Sequence, residues 1–181
     1  MIRKHYISFF IGLLVLIISC KEEKAVAPDY SQLKYDSTHI KIFYHDTANH
    51  GFPQGSKPAP LYQEDLSITD SLFKACVTRF NNEQAAVLKT IYEKVATEYR
   101  RPEYYLIDPS IYKKQYFPYT DENGGRVIFI NCFCDEQPAW RTKLVKQTGG
   151  GKCYFQLEVN LNKRKFSEFQ VNPVDDKIIV K

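Results

Sequence analysis

An α+β fold follows from three features of the sequence. One long stretch spaces its apolar residues by three and four, several shorter stretches alternate apolar with polar residues, and clusters of Gly, Asn, Asp and Pro separate them. The predicted arrangement is one long helix packed on a meandering antiparallel sheet of four to six strands, within a single domain over residues 37–181.

Thr38 to Tyr44 reads THIKIFY, where Ile40 and Ile42 alternate with His39, Lys41 and Phe43, so a strand is expected. Residues 45–62 are rich in Pro and Gly and read as a loop of 18 residues, long enough to be functional or mobile. From Ser67 to Glu98 the period changes. Phe73, Val77, Phe80, Gln84, Val87, Ile91 and Val95 form a helical stripe with Ile68, Leu72, Cys76 and Leu88 beside it. Asn81-Asn82 marks a place where this helix can divide, and Pro102 closes it.

Beyond the helix, strands are expected at Tyr104–Ile107, Ile111–Tyr119, Arg126–Cys134, Trp140–Gln147, Lys152–Leu161 and Lys165–Val171. Turns at Asp121–Gly125, Gly149–Gly151 and Asn162-Lys163 separate them. The tail VDDKIIVK adds a short edge strand or frays. One helix after a first strand, followed by a meander, resembles the cystatin-like arrangement, in which a coiled sheet wraps a single helix. The glutamine-valine-x-valine-glycine loop of true cystatins does not occur here, so the resemblance implies topology and not protease inhibition.

The N-terminus is read as an address. Arg3, Lys4 and His5 precede an apolar run from Ile7 to Ile18, which Lys21, Glu22 and Glu23 end too early for a spanning helix of about 20 residues. Ile17-Ile18-Ser19-Cys20 resembles a relaxed bacterial lipobox of the Bacteroidota type, although Ile17 and Ile18 stand where the strict motif prefers Leu and a small polar residue. The resemblance implies that residues 1–19 are a signal peptide and that Cys20 is the acylated N-terminus. Each buried CH2 then adds about 0.8 kcal/mol to membrane attachment. Cys20-Lys21-Glu22-Glu23-Lys24 resembles the surface-export signal of such lipoproteins, which favours the cell surface over the periplasmic face of the outer membrane. Residues 20–36 are read as the lipidated cysteine and a flexible tether.

Composition narrows the function. The chain has 44% hydrophobic and 25% charged residues, as globular domains do. Without Arg3 and Lys4, 23 basic residues face 21 acidic ones, which disfavours nucleic acid as a partner. No cofactor motif occurs: Gly149-Gly150-Gly151-Lys152 lacks the spacing and the following helix of a phosphate loop.

Four cysteines remain after Cys20. Cys76, Cys132, Cys134 and Cys153 are read as buried thiols or disulfide partners, with three connectivities open. Strand parity puts all four towards the apolar core, and the Cα spacing of Cys132 and Cys134, roughly 6.6–6.8 Å, disfavours a bridge between those two. Three thiolates also suggest a metal, but the apolar face and the short spacer argue against it. His45, Asp46 and His50 bear metal-ligating atoms, but the segment reads as a polar loop and not as a metal site. Asp121-Glu122 and Asp135-Glu136 sit in turns, where carboxylates are solvated.

The aromatic segment is the remaining candidate. Tyr104, Tyr105, Tyr112, Tyr116, Phe117 and Tyr119 interleave with Arg100, Arg101, Lys113 and Lys114. Alternation puts Tyr112, Lys114 and Tyr116 on one face, so Tyr112, Lys114, Tyr116 and Tyr119 are predicted to form a binding surface for a protein or glycan. The expected function is thus a lipid-anchored, non-enzymatic interaction module in the outer membrane, as small lipoproteins of this type are. The alternatives are a small hydrolase with a pocket between helix and sheet, and an inhibitor or immunity-type protein.

Overall fold

The computed structural model describes residues 27–44, 52–93 and 105–174. One helix, α1 (Gln63–Tyr92), packs on a mixed sheet of six strands. The strands are β1 (Ile40–Ile42), β2 (Lys57–Pro58), β3 (Lys113–Thr120), β4 (Arg126–Phe133), β5 (Tyr154–Asn160) and β6 (Lys165–Val171). Their order is β1-β3-β4-β5-β6, with β2 also on β3. The fold is α+β, but the sheet is not wholly antiparallel. β1 runs parallel to β3, a correction to the predicted meander.

Pro118 explains why two short strands share one edge of β3. Lys114 donates its N–H to His39 O at 2.7 Å, and Phe43 donates to Tyr116 O at 2.8 Å. The next donor along this ladder belongs to residue 118, a proline with no N–H. β1 therefore stops at Ile42, shorter than predicted. The edge resumes with β2 opposite Tyr119 and Thr120, inside the segment expected to be only a loop.

α1 starts at Gln63, one turn earlier than its apolar stripe predicts. The N–H of Tyr62 donates to Asp65 Oδ2 at 2.8 Å, a capping contact that fixes the first turn. Leu66, Thr69, Phe73, Cys76 and Val77 face the sheet, where Phe73 stacks on Phe155 with centroids 6.0 Å apart. Val87, predicted to belong to the buried stripe, is 53% exposed. Asn81 does not break the helix. Its side chain donates to Ile107 O and accepts from Ile107 N, both at 2.8 Å, and so ties the incoming segment to α1.

The main core lies between α1 and the sheet, around Ile128, Ile130, Cys132, Phe155, Leu157 and Val159. β6 joins it through a bulge. Glu158 faces Ser167 but Gln156 faces Gln170, so β6 carries one extra residue, and Glu168 has φ 51°. That extra residue lets Phe166, Phe169 and Val171 pack on the same core despite their unequal spacing.

The opposite face of the sheet is covered as well. Phe43 stacks on Phe117 at 4.8 Å, and Phe52 meets Phe117, Tyr119 and Phe129. Beside them, residues 135–147 form turns instead of the strand predicted for Trp140–Gln147. The cause is a buried polar pair. Gln115 Nε2 donates to Trp140 O at 2.6 Å and Lys143 O at 2.7 Å, and Gln115 Oε1 accepts from Val145 N at 2.9 Å. Asn131 Nδ2 donates to Gln115 Oε1 and to Val145 O. With its polar groups taken up by two side chains, this backbone has no need of a neighbouring strand.

Residues 105–107, predicted as part of a strand, are irregular, and Tyr104 lies outside the described residues. β5 begins only at Tyr154, because Gly151–Cys153 forms a 3-10 turn. The C-terminal VDDKIIVK lies outside the described residues from Asp175 onward. No helix among the described residues is long and apolar enough to cross a membrane.

Candidate functional site

The open side of the helix–sheet junction forms a groove of about 430 Å³, lined by Asp36, His39, Ile40, Asp70, Phe73, Lys74, Pro109, Ser110 and Lys114. Its size falls among small-ligand sites, roughly 300–1,000 Å³.

One wall is the turn that leads into β1. Asp36 accepts from the N–H of Thr38 at 2.9 Å and the hydroxyl of Thr38 at 2.5 Å, and its other oxygen meets His39 Nδ1 at 2.7 Å. These hydrogen bonds, from Thr38 first and His39 second, hold the Asp36 carboxyl well below the usual carboxylate range. With Nδ1 engaged, His39 presents Nε2, which has no partner among the described residues. Arg141 pins the turn from the far side by donating to Ser37 O at 2.6 Å.

The facing wall comes from α1, where Lys74 pairs with Asp70 at 2.6 Å. The floor is Lys114 on β3. Its ammonium lies 4.8 Å from the centroid of the buried Phe73 ring, and no carboxylate reaches it within 4 Å among the described residues. Ser110 closes one end. Its hydroxyl donates to Asp108 at 2.7 Å, and this bond with the Ser110 N–H lowers the Asp108 pKa.

Tyr116 stands two residues along β3 from Lys114. Tyr30, Tyr112, Tyr119 and Tyr154 are buried too, and each hydroxyl has a partner: Ala59 O, Lys152 O, Glu158 and the pair Asp135 and Gln137. Tyr116, 3% exposed, is the one buried tyrosine among the described residues whose hydroxyl has none. Burial raises its pKa, and the Asp70 carboxylate on the groove wall adds to the rise.

The predicted tyrosine surface is corrected by these positions. Tyr112, Tyr116 and Tyr119 are 1%, 3% and 2% exposed, so they are core residues and not a stacking platform. The strand has no free face because both sides of the sheet are covered. Lys114 alone of the four reaches an open site, and among the described residues Tyr105 is the exposed tyrosine of the segment at 42%.

The cysteines divide into two pairs. Cys134 and Cys153 form a disulfide with Cα atoms 5.0 Å apart, closing the ends of β4 and β5. Cys153 packs beside Phe133, Trp140 and Tyr154 on the second face, because the 3-10 turn takes it out of the strand parity that predicted a position in the main core. Cys76 and Cys132 are buried free thiols. Burial pushes Cys76 up to about 11 and raises Cys132 further. Among the described residues, the one group of three metal-ligating side chains within reach of one another is Cys134, Asp135 and Cys153, two of which form the disulfide. Cys20, His45, Asp46 and His50 lie outside the described residues.

A second depression of about 480 Å³ lies on the other face, where Asp121, Glu122 and Glu158 meet Tyr119. Two of its acids are already employed. Asp121 accepts from the N–H of Asn123 and Gly125, and Glu158 accepts from Tyr119 at 2.6 Å.

No family model, curated protein or solved structure matches the chain.

Asp36, His39, Ser110 and Asp70 carry the groove, and the sequence did not single them out. The local signal was present in Asp36-Ser37-Thr38-His39, a spacing that suits an Asp-capped turn. Its approach to α1 depends on the β1–β3 pairing, which no local pattern announces.

Proposed function

We propose that the chain is an exported lipoprotein, anchored in the outer membrane through acylated Cys20, whose domain is a non-enzymatic binding module using the groove around His39 and Lys114. The observation that carries the binding reading is the state of the groove's side chains. His39 is oriented by Asp36 and Lys114 has no carboxylate partner among the described residues, while the hydroxyl of Ser110 is donated to Asp108 and not to the imidazole. Such a set holds a ligand without activating a nucleophile. The Cys134–Cys153 bridge supports export, because disulfides persist in oxidising compartments.

Two experiments test this. In membrane fractionation, the wild type sediments with the outer membrane and Cys20→Ser is released. On a glycan and peptide array, the acylated chain retains specific ligands that Lys114→Gln loses without a change in melting temperature. A soluble wild type contradicts the anchor, and an unchanged array pattern contradicts the site.

The Asp36–His39 pair favours a second reading, a small hydrolase with His39 as general base. Turnover of p-nitrophenyl acetate that disappears in His39→Ala is its expected sign.

A further inference from the structure

We infer that the groove's ligand is a hydroxylated carboxylate of the sugar-acid class, with its carboxylate between Lys114 Nζ and His39 Nε2 and its hydroxyls on the flanking acids. This rests on the reading of the groove as a binding site. Lys114 is the groove's one cation without a carboxylate, since Lys74 is paired with Asp70. Its ammonium sits over the Phe73 ring, 4.8 Å from the centroid, which holds the charge at the groove floor. His39 lines the same groove and neighbours Lys114 across the β1–β3 ladder, where its carbonyl accepts the Lys114 N–H, and Asp36 fixes its ring. An anion in the groove therefore has both residues among its lining.

A simple anion leaves the other half of the site unused. Asp36 and Asp70 line the same groove, and each carboxylate keeps acceptor sites beyond its present bonds. Ser110 adds a hydroxyl oxygen, while Ile40 and Pro109 supply an apolar patch for a ring face. Acceptors and cations side by side suit a ligand that brings one negative charge and several O–H donors. Inorganic phosphate at neutral pH brings more charge than a single carboxylate and few donors for the aspartates. A neutral sugar satisfies the aspartates and leaves Lys114 unpaired.

Equilibrium dialysis of the acylated full chain in detergent, with radiolabelled glucuronate as the probe, tests the inference. Expected is saturable binding at one per chain, at least tenfold weaker in Lys114→Gln and in His39→Gln and largely retained in Lys114→Arg. Glucose and acetate are expected to compete at least tenfold less well than glucuronate. Far-UV circular dichroism identifies any variant that fails to fold, and Lys114→Arg then carries the comparison. Glucose competing as well as glucuronate, acetate or phosphate competing equally, or no retention of glucuronate would each overturn the inference. If a glycan and peptide array still detects Lys114-dependent ligands, only the ligand class has failed. If it detects none, the binding reading has failed with it.

Discussion

Asp65, 1% exposed by its side chain, receives Arg126 Nη1 at 2.6 Å and so links the first turn of α1 to the start of β4. The same oxygen caps Tyr62 N, which makes one carboxylate responsible for both the helix start and its position on the sheet. Removing Arg126 leaves that charge buried with the backbone cap alone. Arg126→Met is expected to cost about 3 kcal/mol, at the low end of broken buried pairs because the arginine is 24% exposed. Urea unfolding measures it, and a loss within 0.5 kcal/mol would mean that water replaces the guanidinium.

The Gln115–Asn131 pair is expected to hold residues 140–145 independently of the main core. Gln115→Leu leaves the carbonyls of Trp140 and Lys143 and the N–H of Val145 without their side-chain partner. An orphaned buried group costs about 1–3 kcal/mol, and relaxation of the segment into water limits the total to about 3 kcal/mol. Hydrogen exchange over 140–145 should quicken in this variant while that of β4 stays slow.

The disulfide closes a span of 19 residues, for which the chain-entropy account gives about 3 kcal/mol. Cys134→Ser with Cys153→Ser should lower stability by that amount and leave the far-UV spectrum unchanged. A wild type whose melting temperature does not respond to a strong reductant contradicts the pairing.

The bulge in β6 offers a substitution of the opposite sign. Glu168 has φ 51°, a conformation costing a side chain about 1–2 kcal/mol. Glycine escapes that penalty at about 0.5–1 kcal/mol of extra chain entropy, so Glu168→Gly should stabilise by about 0.5 kcal/mol. Deleting residue 168 should instead restore plain alternation, with Phe166, Phe169 and Val171 at every second position and still on the core face, so a loss of several kcal/mol in urea unfolding would contradict the bulge.

Alkaline pH should loosen the fold. The Cys76 thiol is raised by burial to about 11 from its ordinary value, and the buried tyrosines are raised as well. In this range the unfolded chain has lost protons that the folded chain keeps, so stability is full below the ordinary thiol pKa and falls as pH rises through the folded one. Cys76→Val should flatten the dependence between pH 9 and 11, as urea midpoints at each pH will show.

Much of the architecture was legible because it is written in local periods. The stripe from Phe73 to Phe80 located α1, and the alternation of Ile128, Ile130 and Cys132 located β4 and its core face. The failures share a cause. Trp140–Gln147 resembles a strand, yet the side chains of Gln115 and Asn131 take up its backbone groups. Tyr112 and Tyr116 looked amphipathic beside their lysines, yet they belong to the core under α1, and Tyr119 lies on the second face, which aromatic and loop layers cover. In each case a contact distant in sequence overrides a local pattern. The groove followed the same rule, since Asp36, His39, Asp70 and Ser110 come together only through the pairing of β1 with β3.

The most direct test of the account as a whole is the intact mass of the protein extracted from native membranes, with thiols alkylated under denaturing conditions before and after reduction. The account predicts a chain that begins at acylated Cys20, with two thiols alkylated before reduction, Cys76 and Cys132, and four afterwards. A mass that retains an unmodified Met1, or four thiols reactive without reductant, would contradict it.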